Sequence, residues 1–304
     1  MPSEPDAIVL ASLTADALAL GAHWIYDVHQ IDQQIGRMTA LRAPLPTSFH
    51  KHRARGDYTH YGDQTVVLMK SVIEADGFNL ETFARDWRGY MDDYDGYRDR
   101  ATKTTLERMA TGLPADEAGS TSSDLGGAAR IAPLVLCYRN DDDAMVAAVS
   151  QQTALTHRNP DVIDSAVYFA RVAAQAAQGQ ELRRALQDVM QRHFDRLPFS
   201  RWVAEGIDSW RVDTRDAISR FGQGCDVAGA FPGAIHLIAK YHADPVEGLI
   251  ENVMAGGDSA ARGMLAGMIF GASSGMGAIN AQWAEQMNQI DDIQRYLASM
   301  PSVG

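Results

Sequence analysis

The chain has 304 residues, 46% of them hydrophobic and 22% charged, a globular composition long enough for one large core or two small ones. Its 27 basic and 39 acidic side chains leave a net charge of −12, which argues against general nucleic-acid binding, because that binding draws on counterion release by clustered Lys and Arg. Two cysteines, Cys137 and Cys225, are too few for a disulfide framework and read as small buried thiols of a reducing compartment; with no apolar run of 18 residues and no basic leader before Asp6, the expectation is a cytoplasmic protein without a membrane partner.

The first informative stretch is Ala15-Asp16-Ala17-Leu18-Ala19-Leu20-Gly21-Ala22-His23-Trp24. Asp16 lies inside an apolar helical pattern, where a carboxylate is costly unless partnered, so it reads as a buried residue capping a neighbouring helix. His23 and Trp24 place an imidazole beside an aromatic face that could stack on a base. Residues 35–60 are the least regular segment and read as a functional loop, since helical patterns of the same character flank it. In His60-Tyr61-Gly62-Asp63-Gln64-Thr65, Asp63 reads as the N-cap of the apolar run Val66, Val67, Leu68 and Met69, or as a carboxylate that holds a cation.

Asn79 is expected to cap a helix that repeats Phe83, Trp87, Tyr90, Met91 and Tyr94 at spacings of three and four. The segment Ser120 to Arg130 puts hydroxyls, Gly126 and Gly127 ahead of the helical run Ile131, Leu134, Val135 and Leu136. Such an entry suits phosphate oxygens, or is an ordinary flexible start. Asp92-Asp93 and Asp141-Asp142-Asp143 read as solvated faces and caps. A helix is expected to end at Thr156-His157, with Asn159-Pro160 opening the next and His157 either pointing at a ligand or favoured by the helix dipole.

Asp244-Pro245 repeats the start signal before the stripe Val246, Leu249, Ile250 and Val253. Gly256 and Gly257 stop that helix, and Asp258 opens another carrying Met264, Leu265, Met268 and Ile269. Gly263 and Gly267, four apart, would let another backbone approach closely. Strand alternation is scarce, so the chain reads as one all-α domain over residues 1–304, with ten or more helices. From distant parts of the chain, Asp63 and Asp258 could converge to share a hard cation with waters, or to work as an acid and a base on a glycosidic bond.

In their order, these motifs resemble those of the ADP-ribosylglycohydrolase superfamily over about residues 8–285. Asp16 to Gly21 resembles its Gly-Asp-Ala-Leu-Gly, the Asp63 motif its Thr-Asp-Asp-Thr, and Gly126 to Arg130 its phosphate loop. Thr156-His157 with Pro160 resembles its Thr-His-x-x-Pro, and Gly256 to Ala261 its Gly-Gly-Asp-x-Asp-Thr corner. Asp16 to Trp24, Thr59 to Thr65 and Ala101-Thr102-Lys103 resemble the branch of the J1 crystallins and selenoprotein J.

The resemblance implies a compact orthogonal all-α bundle, a cleft for ADP-ribose and hydrolysis of its bond to an acceptor, with two Mg²⁺ or Mn²⁺ ions in the family. Asp63 and Asp258 match family metal ligands, but Gly62, Gln64, Ala260 and Ala261 replace others, and His23 stands where the family has Glu. Two carboxylates offset too little of the charge of two ions, so the expectation is one weakly held Mg²⁺ or Mn²⁺ or none, rather than a binuclear pair. Asp63, Asp258 and His23 are the expected catalytic residues. Ser123, Gly126, Gly127, Arg130, His157, His60 and Trp24 are the expected substrate contacts. The expected function is hydrolysis of an ADP-ribosyl or related nucleotide glycosidic bond, with an ADP-ribose-like molecule or an ADP-ribosylated acceptor as partner. The alternative is an inactive nucleotide binder or a crystallin-like structural protein.

Overall fold

In a computed structural model, which describes residues 4–303, the antiparallel pair of tightly apposed helices at the centre follows directly from small residues. Helix Ala7–Ala19 has all thirteen residues buried, as expected of a helix that is apolar nearly all round. It runs antiparallel to helix Ser259–Ser274, because Ala7 lies against Gly271, Ala11 against Gly267 and Ala15 against Gly263. A Cβ on Gly267 would sit 2.6 Å from the Ala11 carbonyl oxygen, so the two backbones touch only because no side chain intervenes.

Counting this pair, the described residues form eighteen α-helices and two 3₁₀ segments, with two isolated β-bridges and no strand. The capping signals are realised. Asn79 accepts from the Thr82 amide at 2.9 Å, Asp141 from Ala144 at 3.0 Å and Asn159 from Asp161 at 3.0 Å, opening helices Leu80–Asp92, Asp142–Thr156 and Pro160–Ala177. Asp244 accepts from Glu247 at 3.2 Å and opens Pro245–Met254.

One assignment changes. The helix that carries Asp63 starts at His60 and runs to Glu74, with Thr59 as its N-cap accepting from the Tyr61 amide at 3.2 Å. Asp63 is therefore in the first turn and does not cap. The cause is distant in sequence: Asp16 accepts from the Thr59 amide at 2.7 Å and from its hydroxyl at 2.5 Å, which fixes where the chain turns helical. Asp16 is thus the buried, partnered carboxylate expected. A Cβ on Gly62 would come within 2.5 Å of its Oδ2.

Past helix Val28–Gln34, residues 35–59 contain no helix. This segment is tied to the C-terminal part of the chain. Trp283 Nε1 donates to the Thr39 carbonyl at 2.9 Å, and the Asn288 amide to that of Gly56 at 2.9 Å. Its far end delivers Phe49, His50 and Arg53 beside helix His60–Glu74.

Candidate functional site

Met254 ends its helix, and Gly256 and Gly257 follow at φ of 72° and 68°, values that L side chains rarely adopt. Positive φ turns the chain so that the Gly257 amide donates to the Ile25 carbonyl at 2.8 Å, while the Trp24 amide donates to that of Gly257 at 2.9 Å. The corner and the His23-Trp24 motif are thereby joined, although more than 200 residues separate them. Asp258 then caps helix Ser259–Ser274, accepting from the Ala261 amide at 3.2 Å; its other oxygen accepts from the Tyr61 hydroxyl at 3.1 Å. Its own amide donates to the Gln223 carbonyl at 2.8 Å.

That last bond brings in a segment with no motif of its own, Gln223 to Asp226. The Leu125 amide donates to the Cys225 carbonyl at 2.8 Å, the Val227 amide to that of Ser123 at 2.7 Å, and the Ser123 hydroxyl to Asp226 Oδ2 at 2.5 Å. The Ser-rich loop and residues 223–227 are thus laced together beside the corner. As a result Asp124, Cys225 and Asp258 each place one donor atom within 4.8 Å of the others'. Burial, then the charge of Asp258, pushes the Asp124 carboxyl well above the usual range. Burial likewise raises Asp258, against the Ala261 amide and Arg262, which favour the anion. The Cys225 thiol is held protonated by burial and by both carboxylates, and it bonds to Asp124.

Buried His23 stands beside this cluster, its Nδ1 3.7 Å from Asp258 Oδ1 and 3.4 Å from the Ala260 amide, its Nε2 without a partner among the described residues. Burial and then His50 and His60 drive it well below the usual histidine range, so it is neutral at pH 7. Trp24, Phe49 and Tyr97 close the rim with ring centroids 5.0–5.5 Å apart. Beneath them His50 Nε2 meets His60 Nδ1 at 3.2 Å, and His60 Nε2 is 3.3 Å from Asp99 Oδ2. Burial pushes His50 down to about 2. Although burial alone would raise Asp99, His60 holds its carboxyl below the usual range.

The remaining expected residues are placed as follows. Asp63 is buried and its Oδ2 accepts from Arg53 at 2.6 Å and from the Tyr94 hydroxyl at 2.6 Å. Burial raises it to about 6 against the pull of Arg53 and Tyr94. It does not share the grouping that contains Asp258. Arg130 is fully buried, one nitrogen donating to Gln64 Oε1 and another to the Thr156 hydroxyl at 2.5 Å. Gln64 also accepts from Trp87 Nε1 at 2.8 Å and donates to the His60 carbonyl at 2.9 Å, so its amide is used up inside the core. Gly126 packs under the Tyr61 ring and Gly127 under the imidazole of His157. His157 Nδ1 is 2.9 Å from the Thr156 hydroxyl, and burial followed by Arg130 pushes it down to about 3.

Asp124, Cys225, Arg53 and Tyr94 were not among the expected site residues. Asp124 lay inside a quoted motif, where its acidity beside a phosphate-binding pattern was a usable signal. Cys225, Arg53 and Tyr94 carried none, since each matters only through a partner brought up by the fold.

The model of the family described as ADP-ribosylglycohydrolase matches residues 7–302. Crystallin J1A of Tripedalia cystophora is 23% identical over 95% of this chain and 94% of its own length. An uncharacterised protein of Archaeoglobus fulgidus is 27% identical over 91% of this chain and 89% of its own. Among solved structures, an "ADP-ribosylglycohydrolase-related protein complex" superposes with a TM-score of 0.73 at 21% identity, covering 98% of this chain and 96% of that one.

Proposed function

This chain belongs to the ADP-ribosylglycohydrolase family, and from that premise we propose that it hydrolyses the glycosidic bond of an ADP-ribosyl or related nucleotide ligand at Asp124, Cys225 and Asp258. The observation that carries the reading is the convergence of these three groups within 4.8 Å, on one side of a loop of hydroxyls and beside neutral His23. Two carboxyl groups so close cannot both ionise easily, so they share a proton. The ionised one, assigned to Asp258, takes a proton from the attacking water. The protonated one, assigned to Asp124, gives its proton to the leaving atom as the water oxygen bonds to the anomeric carbon.

His23 is neutral, its Nδ1 accepting from the Ala260 amide, so the proton is on Nε2, which has no partner among the described residues and is assigned to orienting the ligand. Trp24 and Tyr97 supply faces for a ring, while Ser123 and Gly126 lie along the loop expected to take the diphosphate, and His157 packs against that loop at Gly127. Asp63 is assigned to holding Arg53 and Tyr94 in place.

The donor set also fits one divalent cation, held by Asp124, Asp258 and the Cys225 sulfur, once the thiol gives up its proton. It does not fit two Mg²⁺ ions, which demand near-octahedral oxygen coordination. A bound cation would polarise ligand oxygens and make water more acidic.

The test is turnover of ADP-ribosylated peptide and of O-acetyl-ADP-ribose by the purified chain. Asp258→Asn is expected to lower turnover by about a hundredfold or more while the melting temperature stays within a few degrees. Unchanged turnover would overturn the assignment. A second reading, a nucleotide-binding protein without hydrolysis, is supported by Arg53, whose guanidinium neutralises Asp63, and by the apolar Ala260 and Ala261. It predicts ADP-ribose binding by calorimetry with no turnover of either substrate.

A further inference from the structure

We propose that the groove between helix Arg100–Ala110 and residues Ser120–Ser123 binds a phosphate-type dianion, supplied by a second phosphate group on the nucleotide ligand. The wall on the helix side is built by Arg100, Thr104 and Arg108, spaced by four and therefore on one face. The opposite wall is Ser120, Thr121, Ser122 and Ser123. No carboxylate is among the seven lining residues; the Ser120 and Ser123 hydroxyls are given to the Thr156 carbonyl and to Asp226, which leaves Arg100, Thr104, Arg108, Thr121 and Ser122 as the donors that face the groove.

Several arginines of this acidic chain are neutralised: Arg37, Arg53, Arg171, Arg196 and Arg215 all pair with Asp or Glu. Arg100 is exposed and, like Arg108, enters no salt bridge among the described residues. Arg108 is set in place by donating to the Gly119 carbonyl, which leaves its remaining N–H groups for the groove. The facing segment is equally fixed. The Ser120 amide donates to the Thr156 carbonyl at 3.0 Å, the Arg158 amide to that of Ser120 at 2.6 Å, and Val227 to that of Ser123 at 2.7 Å.

Two guanidinium groups facing the hydroxyls of Thr104, Thr121 and Ser122 are the chemistry that recognises a phosphate monoester. The cavity volume is about 430 Å³, within the range of pockets that take small molecules and far more than a bare ion fills. Ser123 is followed directly by Asp124, so the groove and the cluster lie along one loop. That the anion belongs to the same ligand rests on the nucleotide reading above; the anion site itself does not.

The experiment is calorimetric titration of the full chain at fixed ionic strength with three probes: inorganic pyrophosphate, ADP-ribose and its 2′-phosphorylated form. Wild type is compared with Arg100→Gln and Arg108→Gln; the first alters an exposed side chain and keeps the test valid if the second unfolds. Pyrophosphate is expected to bind wild type about tenfold more tightly than Arg100→Gln, the size of one lost charged hydrogen bond. The 2′-phosphorylated ligand is expected to bind about tenfold better than ADP-ribose, an advantage that disappears in Arg100→Gln while ADP-ribose binds as before. Pyrophosphate affinity indifferent to both substitutions would overturn the site. Binding of both nucleotides with no gain from the phosphate would overturn its assignment to the ligand. If only pyrophosphate binds, with arginine dependence, the anion site stands and the nucleotide reading falls.

Discussion

Asp16 is the one charged side chain on a helix whose thirteen residues are all buried. Burial raises its carboxyl from 3.8 to about 7, although both bonds from Thr59 favour the anion. Because the folded pKa lies above the unfolded one, the folded state binds the extra proton between these values. The associated stability is fully present below about pH 4 and is lost as pH rises through about 7. Asp63, raised to about 6, acts in the same direction. Buried His23, His50 and His157, pushed below the usual histidine range, act in the opposite direction below about pH 6.5, so the Asp16 contribution is read by comparing the slope of stability against pH between 4 and 7.5 in wild type and in Asp16→Asn. Asp16→Asn should remove on the order of 1 kcal/mol per pH unit from that slope. An unchanged slope would show that Asp16 does not titrate in this window. The sequence showed that Asp16 needed a partner, but Thr59 was identified only by the fold. Asp258 was legible for a different reason: two glycines before a helix-opening aspartate form a local signal.

Helices and their ends were the most legible level, since capping is decided within four residues. Asn79, Asn159-Pro160 and Asp244-Pro245 each open a helix where the pattern placed it. The start at His60 was missed because Thr59 is held by Asp16, 43 residues away. The glycine spacing in Ser259–Ser274 signalled a close neighbour without naming Ala7–Ala19. Packing there can be separated from helix propensity with two substitutions. Gly89→Ala, on helix Leu80–Asp92 with nothing within 4 Å, should stabilise the protein by about 0.5–1 kcal/mol. Gly267→Ala should destabilise it by about 1–3 kcal/mol, because its Cβ would press on the Ala11 carbonyl. Thermal melts of the pair with opposite signs would establish the contact; equal shifts would refute it.

For the whole molecule, a ligand held between the Ser-rich loop, the corner and the Trp24 rim ties segments from the start, middle and end of the chain. ADP-ribose at about 100 times its dissociation constant should add about 2.7 kcal/mol of stability. If Asp124, Cys225 and Asp258 hold a cation, EDTA should reduce that gain, and Cys225→Ser should make it less sensitive to Zn²⁺ than to Mg²⁺. A gain that survives EDTA intact would leave the cleft without a needed metal. No gain at any concentration would count against ADP-ribose as the ligand.

The sequence by itself determined the helical class, the caps, the Gly256-Gly257 corner and the family motifs, because each is written in residues close together along the chain. Only the tertiary structure decided which acidic groups meet. It gave Asp63 to Arg53 and Tyr94, and set Asp258 with Asp124 and Cys225. The physical reason is that a carboxylate's state depends on its burial and on charges a few ångströms away. Those neighbours come from segments whose approach is fixed by backbone bonds such as Asp258 to Gln223 and Leu125 to Cys225.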